Sequence, residues 1–368
     1  MIRCTKKRED QAMNVYLVET PHQLLNAIEA KNTLDLKDNL LIVLTLEEYP
    51  REAYGPLIVG GEWQEVRIVP TYYIESEGEV ARYLRNHSSE RVRWYYSTYE
   101  LRELRKRLDV QADSLHGVEN LFLGNYARGY MRHFGNIVQP QRLCLLDDGT
   151  VTLSIHALRE QMHSGYGSYS PDAPTIKNIL IDKFLGLRSY QARSLTYFTT
   201  YDLTMCNSDS IIKNEYRYFR QRVMSVEPSD EVFFLGMTLI SEGLNDDRYI
   251  EYLQKAVRFF SGEKFVYIPH KCEPPERVER LKRELGLDVR RFDVPIEYQL
   301  CIRGTVPKVL ASFFSSALEN LRVIFGPHLD IKSFRIDPEL FPLKPNFVRK
   351  VYNYYQSKSG RSFEVIRL

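Results

Sequence analysis

The chain has 368 residues, of which 43% are hydrophobic and 27% are charged, and its formal net charge is +2. This balance excludes a disordered or fibrous protein, and the nearly equal numbers of basic and acidic residues give no reason to expect nucleic acid as a partner. A chain of this length is too long to fold around one small hydrophobic core. We therefore expect two α/β domains of ordinary size with a cleft between them.

The cysteines and the apolar segments predict a reducing compartment and no membrane span. The cysteines are odd in number and widely spaced, without a CxxC pair or metal-ligand spacing. They are Cys4, Cys144, Cys206, Cys272 and Cys301. Residues 1–12 are rich in charge and are expected to be a tail or an upstream extension, and no apolar signal-peptide core follows them. The longest apolar stretch, Leu40–Leu46, is far shorter than the ~20 residues of a membrane-spanning helix. We expect a cytoplasmic protein and leave open a contact with the inner membrane.

Short β-branched runs alternate with helical patterns along the chain, which predicts βα units and parallel sheets. In the first part we expect strands at Asn14–Glu19, Leu40–Thr45, Val66–Val69, Val92–Ser97, Asn120–Leu123 and Arg142–Leu146, and helices at Gly78–Arg85 and Thr98–Leu108. In the second part we expect strands at Glu231–Leu235, Lys264–Ile268, Val289–Phe292, Lys308–Ala311 and Leu321–Phe325, and helices at Asp246–Phe260 and Pro275–Leu285.

These elements predict a first domain over residues 13–190, a second over 191–340, and a C-terminal helix and tail over 341–368. The segment Gln161–Thr175 is rich in Gly, Ser, Tyr and Pro and is expected to be a loop, either a lid or a linker. At the first strand-to-helix turn, Thr20 is expected to cap the helix, with Pro21 at its first position and Gln23 completing a capping box.

An acidic motif leaves the end of the strand at Arg142–Leu146. Asp147, Asp148 and Gly149 stand there, and ligands of parallel sheets bind at the carboxyl ends of strands. One carboxylate can be held in hydrogen bonds while the other accepts a proton from a substrate hydroxyl as general base. A simple strand-ending turn explains the same residues about equally well, because Asp and Gly favour turns.

A histidine motif, Ile268–Glu273, lies between a predicted strand and a predicted helix. His270 near a helix N-terminus can donate to a phosphate where the helix dipole already favours an anion. The alternative is a surface histidine in a βα loop, and this segment taken alone favours that alternative.

A serine pair, Ser315 and Ser316, stands at the start of another helix. Ser316 and Glu319 fit a capping box, while the hydroxyls and free N–H groups can also bind a phosphate. Because the serines can cap the helix whether or not phosphate binds, only their location in the fold distinguishes the two roles. Two such turns in one domain form an anion pocket, and with a carboxylate from the other domain they suit an inverting transferase that needs no metal. No GxGxxG or GxxxxGK[ST] loop supports a dinucleotide or ATP site.

In this order, the three motifs resemble those of the bacterial sialyltransferases, which carry an acidic D/E-D-G motif, an HP motif and a paired-serine motif. The similarity is to glycosyltransferase family 52, the lipooligosaccharide sialyltransferases, and to the bacterial polysialyltransferases, over about Met13–Gly326. It implies a GT-B fold of two Rossmann-like domains with parallel sheets facing a central cleft. It further implies inverting, metal-independent transfer of sialic acid from CMP-sialic acid to a glycan hydroxyl, on a galactose-terminated lipooligosaccharide or a capsule glycan.

The resemblance also implies roles for individual residues. Asp148 matches the general base, His270 contacts the CMP phosphate, and Ser315 with Ser316 binds the same phosphate. Lys271 stands where the HP motif has proline, and its charge would lie near the phosphate. The other implied or expected contacts are Glu297 (in Pro295-Ile296-Glu297, similar to a Pro-x-Glu element) and Gly236 on the donor side, and Asp147, Gly149, Thr20 and Gln23 on the acceptor side.

Two features are less specific. Gly236 ends a predicted strand, where a missing side chain lets a nucleotide approach the backbone, although an ordinary loop glycine is as good an explanation. The C-terminal segment forms a basic aromatic helix that can contact an anionic membrane surface, although a solvated face is the more common case. Its residues are Arg349, Lys350, Tyr352, Tyr354, Tyr355 and Lys358.

Three alternatives remain at this point. A transferase for another CMP-activated sugar, such as Kdo or another nonulosonic acid, would share the phosphate pocket. A non-catalytic glycan- or nucleotide-binding protein would keep the pocket without needing Asp148, and a scaffold protein would need none of the motifs. The expected partners are a CMP-sugar donor and a glycan acceptor. The sequence does not determine the glycosidic linkage, and it does not distinguish a monomer from a homodimer.

Overall fold

The computed structural model describes residues 13–47, 49–61, 63–71, 89–164, 181–205, 208–223, 227–237, 243–304, 306–343 and 345–367. Within these ranges only the backbone is described for residues 60, 61, 90–97, 150 and 161–164. The chain divides into two compact units, the first ending at Asn214 and the second beginning at Glu215. Each unit is an α/β sheet assembly and is described by itself.

The first unit is built on a parallel sheet with the strand order β3-β2-β1-β4-β5-β6-β7 among the described residues. The chain adds strands outward from β1 on one side and from β4 on the other, so β1 and β4 flank a topological switch point. Open parallel sheets bind ligands there, outside the carboxyl ends of the strands. The strands are β1 Met13–Val18, β2 Asn39–Thr45, β3 Glu65–Pro70, β4 Val118–Leu123, β5 Arg142–Leu146, β6 Thr196–Thr199 and β7 Ser210–Lys213.

Helices connect and cover these strands. Strand β2 is buried along its whole length, as expected for a central strand of a parallel sheet with both faces covered. Leu104 and Leu108 of α3 and Phe134 of α4 pack into the same apolar core as β1 and β4. The helices are α1 Pro21–Thr33, α2 Gly55–Gly61, α3 Glu90–Asp113, α4 Gly129–Val138 and α5 Thr150–Ser164, and a 3-10 turn covers Arg51–Tyr54.

The second unit repeats this plan with the order β10-β9-β8-β11-β12-β13, in which every strand pair is parallel. Its switch point lies between β8 and β11. The strands are β8 Glu231–Leu235, β9 Lys264–Ile268, β10 Asp288–Val289, β11 Val309–Ser312, β12 Asp330–Arg335 and β13 Phe363–Arg367. The helices are α6 Arg217–Val223, α7 Asp246–Phe259, α8 Pro275–Leu285, α9 Ile296–Ile302, α10 Ser316–Phe325 and α11 Pro345–Lys358, with 3-10 turns at Gly326–His328 and Pro338–Leu340.

The prediction of two α/β units with parallel sheets is confirmed, and so are most strand positions. Two predicted strands are wrong. Val92–Ser97 lies inside α3, a helix of 24 residues, and Leu321–Phe325 lies inside α10. Leu321, Ile324 and Phe325 are all buried, at the i, i+3, i+4 spacing of a helix face. Short apolar runs with β-branched residues do not distinguish a strand from a buried helix.

The division between the units also differs from the predicted boundary at residues 190 and 191. Strand β6 pairs with β5 and β7 pairs with β6, so residues 191–214 belong to the first unit. Residues 341–368 are more than a helix and tail, because β13 pairs with β12 and completes the second sheet. Both differences arise from short strands that the sequence pattern did not reveal.

The C-terminal helix α11 is part of the second unit's core. Tyr352 and Tyr355 are buried, and the hydroxyl of Tyr352 donates to the carbonyl oxygen of Phe334 at 3.1 Å. The sequence pattern allowed a membrane-facing surface as one interpretation of this helix. These two tyrosines do not belong to such a surface, because they are buried. None of the described helices is long and apolar enough to span a bilayer.

Several predictions lie outside the described residues. They are the helix at Gly78–Arg85, the cysteines Cys4 and Cys206, the tail 1–12, and residues 165–175 of the predicted loop. Residues 161–164 of that loop instead end α5. The remaining cysteines are free thiols: Cys144 and Cys301 are buried and Cys272 is exposed.

Arg159→Met is expected to destabilise the first unit strongly, by about 3–5 kcal/mol, because it leaves the carboxylate of Asp209 buried without its partner. The two side chains are 3% and 7% exposed, and the Arg159 Nη2 and Asp209 Oδ1 atoms are 2.6 Å apart. This pair ties α5 to the segment between β6 and β7. Arg248→Met, which breaks a pair with Glu251 whose side chains are 59% and 41% exposed, should cost less than ~1 kcal/mol. Urea unfolding measures both, and similar small losses would contradict the buried pair.

Candidate functional site

Asp147 ends β5 as a buried carboxylate that the first unit uses internally. Its Oδ2 accepts hydrogen bonds from the Thr200 main-chain N–H at 2.7 Å and the Thr200 hydroxyl at 3.3 Å. The side-chain amide of Asn26 donates to its carbonyl oxygen at 3.1 Å. Burial raises the pKa of Asp147, and these donors act against that rise. Asp147 thus connects the ends of β5 and β6 with α1, and its carboxylate oxygen Oδ2 is already engaged.

Asp148 is held differently and remains partly exposed. Its Oδ2 accepts a hydrogen bond from Nδ2 of Asn125 at 2.9 Å, and Asn125 follows β4 at the switch point. Burial raises the pKa of Asp148, while the nearby His22, Gln23 and Arg128 oppose the rise. A raised pKa makes a carboxylate a better proton acceptor near neutral pH. The two aspartates therefore have the different environments that the sequence suggested, and the role of Asp148 as base stays a prediction.

Gly149 follows with φ at 61°, in the left-handed region that glycine adopts without steric cost. This turn leads the chain from Asp148 directly into α5. The backbone conformation therefore accounts for the glycine, and its predicted contact with an acceptor remains a prediction.

Thr20 and Gln23 lie at the start of α1, beside Asp148. Thr20 caps the helix by accepting a hydrogen bond from the Gln23 N–H at 3.2 Å. The Gln23 Oε1 atom accepts from the N–H of Glu19 at 2.9 Å, so the predicted capping box closes on Glu19 and not on Thr20. Nε2 of the fully buried Gln23 makes no hydrogen bond to another described residue, although the Gln23 amide lies close enough to lower the pKa of Asp148. Gln23 is therefore part of the buried surroundings of Asp148, and its predicted contact with an acceptor remains a prediction.

Glu19 is a second buried carboxylate at this edge, which the sequence reasoning assigned no role. It accepts hydrogen bonds from the Tyr130 hydroxyl and from Nε of Arg128, the latter at 3.3 Å. Burial raises the pKa of Glu19, and the negative charge of Asp148 acts in the same direction. The signal was present in the sequence: a carboxylate directly follows an otherwise apolar strand at the switch point. His22, in the same turn, was likewise assigned no role of its own, although its charge acts to lower the pKa of Asp148.

His270 lies in the turn after β9 in the second unit. Its Nδ1 accepts a hydrogen bond from the Cys272 N–H at 3.2 Å, and its own N–H donates to Oε2 of Glu273 at 2.6 Å. Burial lowers the pKa of His270, which favours the neutral ring. Because Nδ1 accepts, the neutral ring carries its proton on Nε2, and Nε2–H is the group that can donate to a ligand.

The histidine lies between β9 and α8 as expected, five residues before the first residue of the helix. Helix α8 begins at Pro275 and is capped by Pro274 without a side-chain hydrogen bond. Neither proline has an N–H, so the start of α8 offers fewer donors to an anion than a typical helix start. The turn before the helix carries His270 and the exposed Lys271, and their predicted contact with the donor phosphate remains a prediction.

Ser315, and not Ser316, caps α10. Its Oγ accepts from the Ala317 N–H at 3.3 Å. The predicted capping box of Ser316 and Glu319 is wrong, because Glu319 is bound by Arg322 at 2.8 Å. Ser316 is the first helical residue, so its N–H has no partner within the helix, and its hydroxyl forms no hydrogen bond to another described residue. Both groups of Ser316 are available to an anion.

The turn at Ser315 is held from α11. The Tyr355 hydroxyl accepts from the Ser315 N–H at 3.2 Å and donates to the Ser315 carbonyl oxygen at 2.7 Å. On the other side, Glu297 of α9 accepts from the Asn320 side-chain amide at 2.9 Å. Glu297 is buried and connects α9 with the helix that Ser315 caps. Its predicted contact with the donor is untested by these bonds.

Gly236 is required by the packing of the protein itself, and its predicted contact with the donor remains a prediction. A Cβ atom there would lie 2.2 Å from Oε2 of Glu273 and 2.5 Å from the Tyr267 hydroxyl. The position is therefore filled by side chains of the second unit, and the missing side chain does not by itself open the backbone to a nucleotide.

The turns of the second unit share one sheet edge. Strands β9, β8 and β11 are neighbours in that order, so His270, Gly236 and Ser315 follow adjacent strands at their carboxyl ends. Neighbouring strands lie ~4.8 Å apart, which puts β9 and β11 at about 10 Å with β8 between them. Among the described residues no group of three or more His, Cys, Asp or Glu side chains is arranged to hold a metal ion.

No protein-family model and no curated protein sequence matches the chain. Solved structures match its fold. UGT73P12 of Glycyrrhiza uralensis, complexed with glycyrrhetinic acid 3-O-monoglucuronide, is 8% identical with a TM-score of 0.54 over 97% of this chain and 81% of that chain. TcCGT1 in complex with UDP is 10% identical with a TM-score of 0.53 over 97% and 86%. MnaA of S. aureus, a co-structure with UDP, is 10% identical with a TM-score of 0.50 over 88% and 80%.

The chain has the GT-B fold. At these identities the likeness is one of fold alone. It extends over both units, since 97% of the chain is covered, and it agrees with two parallel α/β sheets that each have their own switch point.

Asp148→Asn is expected to raise the free energy of unfolding at about pH 7.5. Because its pKa is raised in the folded chain, ionised Asp148 costs folding free energy, about 1.4 kcal/mol for each tenfold decrease in its acid dissociation constant. The asparagine oxygen can still accept from Asn125. The gain should shrink as the pH falls through the raised pKa towards ~4, where the carboxyl is protonated in both states. Urea unfolding across this pH range measures the difference.

Glu231→Gln is the control of opposite sign. Hydrogen bonds from Arg290, helped by Lys264, lower the pKa of Glu231 to about 2, so its ionised form stabilises the fold above the ordinary carboxyl pKa of ~4.3. That variant should lose stability at neutral pH. A loss of stability for Asp148→Asn at every pH would contradict the expectation for the site.

Proposed function

We propose that the chain is a glycosyltransferase that uses a nucleotide-activated sugar and, more narrowly, a sialyltransferase that transfers sialic acid from CMP-sialic acid to a glycan hydroxyl. The observation that carries the proposal is the partly exposed Asp148 with a raised pKa, which follows β5, lies next to the internally bonded Asp147 and is hydrogen-bonded to Asn125 at the switch point. The GT-B fold supports the broader statement. The narrower one rests on the resemblance of the three motifs to the bacterial sialyltransferases.

In the proposed reaction Asp148 removes the proton of the acceptor hydroxyl, and the resulting oxygen attacks the anomeric carbon of sialic acid. The bond from that carbon to the CMP phosphate oxygen breaks, and its electron pair stays on the phosphate. Nε2–H of His270 and the hydroxyl and N–H of Ser316 are the donors that stabilise this charge. Attack opposite the leaving group inverts the anomeric configuration.

The proposal also assigns roles to the remaining residues. Gln23 lies on the acceptor side with its amide beside Asp148, whose pKa it lowers, while Thr20 and Gly149 shape the two turns. Ser315 and Glu297 hold the start of α10, and Lys271 adds positive charge near the phosphate. We propose a cytoplasmic enzyme without a required metal whose acceptor is a lipooligosaccharide or capsule glycan at the inner membrane. The proposed partners are the donor and this acceptor, with a homodimer left to measurement.

Asp148→Asn is expected to lower kcat for transfer from CMP-sialic acid to a galactose-terminated acceptor by about 10²–10⁴-fold, because the general base is lost. His270→Ala should lower it by about 10²–10³-fold through the lost phosphate donor. Transfer and CMP release are measured with and without EDTA, and EDTA should leave the wild-type rate unchanged.

Matched controls are Asp35→Asn and His328→Ala, which alter exposed residues of the same units and should keep the wild-type rate. The donor panel includes CMP-Kdo and UDP-glucose. Transfer from one of these and not from CMP-sialic acid would reject the narrower proposal and keep the broader one. Nucleotide binding without transfer from any donor would favour a binding protein.

The pH dependence tests Asp148 directly. Since the base must be ionised, kcat/KM should rise with pH through the raised pKa of Asp148. The positive charge of Arg128 lowers the pKa of Asp148, so Arg128→Gln should move this acid limb to higher pH. Rates from about pH 4 to 9 measure the limb. Arg102→Gln, which changes an exposed residue of α3, should leave the acid limb at its wild-type pH. If the limb of Arg128→Gln stays in place or moves to lower pH, Asp148 is not the general base.

A further inference from the structure

A buried carboxylate follows His270 in the same turn and has no part in the proposed reaction. Glu273 is 3% exposed. Its Oε2 accepts from the His270 N–H at 2.6 Å and its Oε1 accepts from the Tyr267 hydroxyl at 2.7 Å. Its own N–H donates to the His270 carbonyl oxygen at 2.9 Å. Glu273 thus bonds both main-chain groups of His270 and closes the turn.

The same carboxylate is anchored to the core. The Tyr267 hydroxyl is hydrogen-bonded at 2.8 Å to the hydroxyl of Tyr249, and both tyrosines are fully buried. Arg277 lies with its Nε 3.8 Å from Oε1 of Glu273 and its guanidinium over the Tyr249 ring at 4.4 Å. A chain of hydrogen bonds therefore runs from α7 through β9 to the histidine turn, with a cation near the buried charge.

Glu273 also determines the neighbouring turn after β8. A Cβ at Gly236 would come within 2.2 Å of its Oε2 and 2.5 Å of the Tyr267 hydroxyl, closer than real Cβ contacts. The Gly236 N–H donates to the Ile268 carbonyl oxygen at 2.8 Å. The end of β8 is thus packed directly against the carboxylate, and Gly236 is glycine because Glu273 and Tyr267 occupy the space beside it.

We infer that Glu273 is the positioning residue of the phosphate-binding turn. It holds the main chain of His270 so that the Cys272 N–H meets Nδ1, which keeps the imidazole proton on Nε2 for donation to the leaving phosphate. This inference rests on the proposed function of His270. It adds a role for Glu273, for Tyr267 and Tyr249 behind it, and for Gly236, none of which contacts the phosphate in the proposed reaction.

Glu273→Ala and Glu273→Gln separate hydrogen bonding from charge. In Glu273→Gln the new amide oxygen can accept from the His270 N–H, and the new NH₂ can donate to the Tyr267 oxygen if Tyr267 donates to Tyr249. We expect Glu273→Ala to weaken CMP binding and lower kcat by about 10- to 100-fold, as a displaced turn does. Glu273→Gln should stay within about threefold, because neutral hydrogen bonds replace the originals.

Three measurements are made on the full chain: calorimetric titration with CMP, steady-state rates with CMP-sialic acid, and ¹⁵N–¹H NMR of the imidazoles. The His270 signal is assigned by its absence in His270→Ala. It should show the Nε2–H tautomer in wild type and Glu273→Gln, and a mixture of tautomers in Glu273→Ala. Glu231→Gln, at the opposite end of β8, is the control that should change neither the signal nor CMP affinity.

A steric test covers the case in which Glu273→Ala does not fold. Gly236→Ala alone should weaken CMP binding, because its methyl group displaces Glu273. In a Glu273→Asp, Tyr267→Phe background the shorter carboxylate and the missing hydroxyl withdraw both atoms nearest to the new methyl group, and part of the binding loss caused by Gly236→Ala should disappear. Equal losses caused by Gly236→Ala in both backgrounds would overturn the packing argument.

The outcomes distinguish this inference from the proposed function. If His270→Ala binds CMP like the wild type, the phosphate site itself is wrong. If His270→Ala weakens binding while Glu273→Ala leaves the affinity and the Nε2–H signal unchanged, the site stands and the inference is overturned. Equal losses in Glu273→Gln and Glu273→Ala would also overturn it, since they would assign the effect to the lost charge.

Discussion

Burial of a carboxylate at the carboxyl end of a parallel strand is the constraint on which both sheet edges depend. Such a group must find donors, because an unpaired buried charge costs several kcal/mol. In the first unit Asp147 takes its donors from Thr200, and in the second Glu273 takes them from His270 and Tyr267. In the first unit this requirement draws the turns after β5 and β6 together, and in the second it closes the turn that carries His270. In each case a residue close by in the chain, Asp148 or His270, stays partly exposed.

This arrangement explains why the unfavourable electrostatics lie at the switch points. Burial raises the pKa of Glu19 and Asp148 in the same part of the first unit, where neither gains a full set of compensating donors. An ion pair away from these edges has the opposite effect on a carboxylate. At the amino end of β8, Arg290 and Lys264 bond Glu231 and lower its pKa, so its ionised form favours folding. Groups whose ionisation opposes folding are typical of functional sites, since stability alone would not retain them.

Much of the fold was readable from the chain because its signals are local. The strands at Arg142–Leu146, Glu231–Leu235 and Lys264–Ile268 appear with the predicted bounds, since each is a short apolar run ended by polar or turn residues. The errors occur where local signals are ambiguous. Leu321–Phe325 has the composition of a strand, yet it is helical and its buried residues lie on one face of the helix. The four-residue strands β6 and β7 are too short for a sequence signal and are defined only by the strands with which they pair.

The sequence by itself determined the two parallel α/β units and the candidate residues Asp148, His270 and Ser316, because strand ends, turns and helix starts are properties of neighbouring residues. Only the tertiary structure decided which carboxylate is engaged and which is available, why residue 236 is glycine, and that Glu273 holds His270. The first two depend on groups far apart in the chain, Asp147 with Thr200 and Gly236 with Glu273, whose contacts form only when the sheets bring distant strand ends to one edge. The third is a contact within one turn, but it requires the Glu273 side chain to be buried against the core, which residue spacing alone does not reveal.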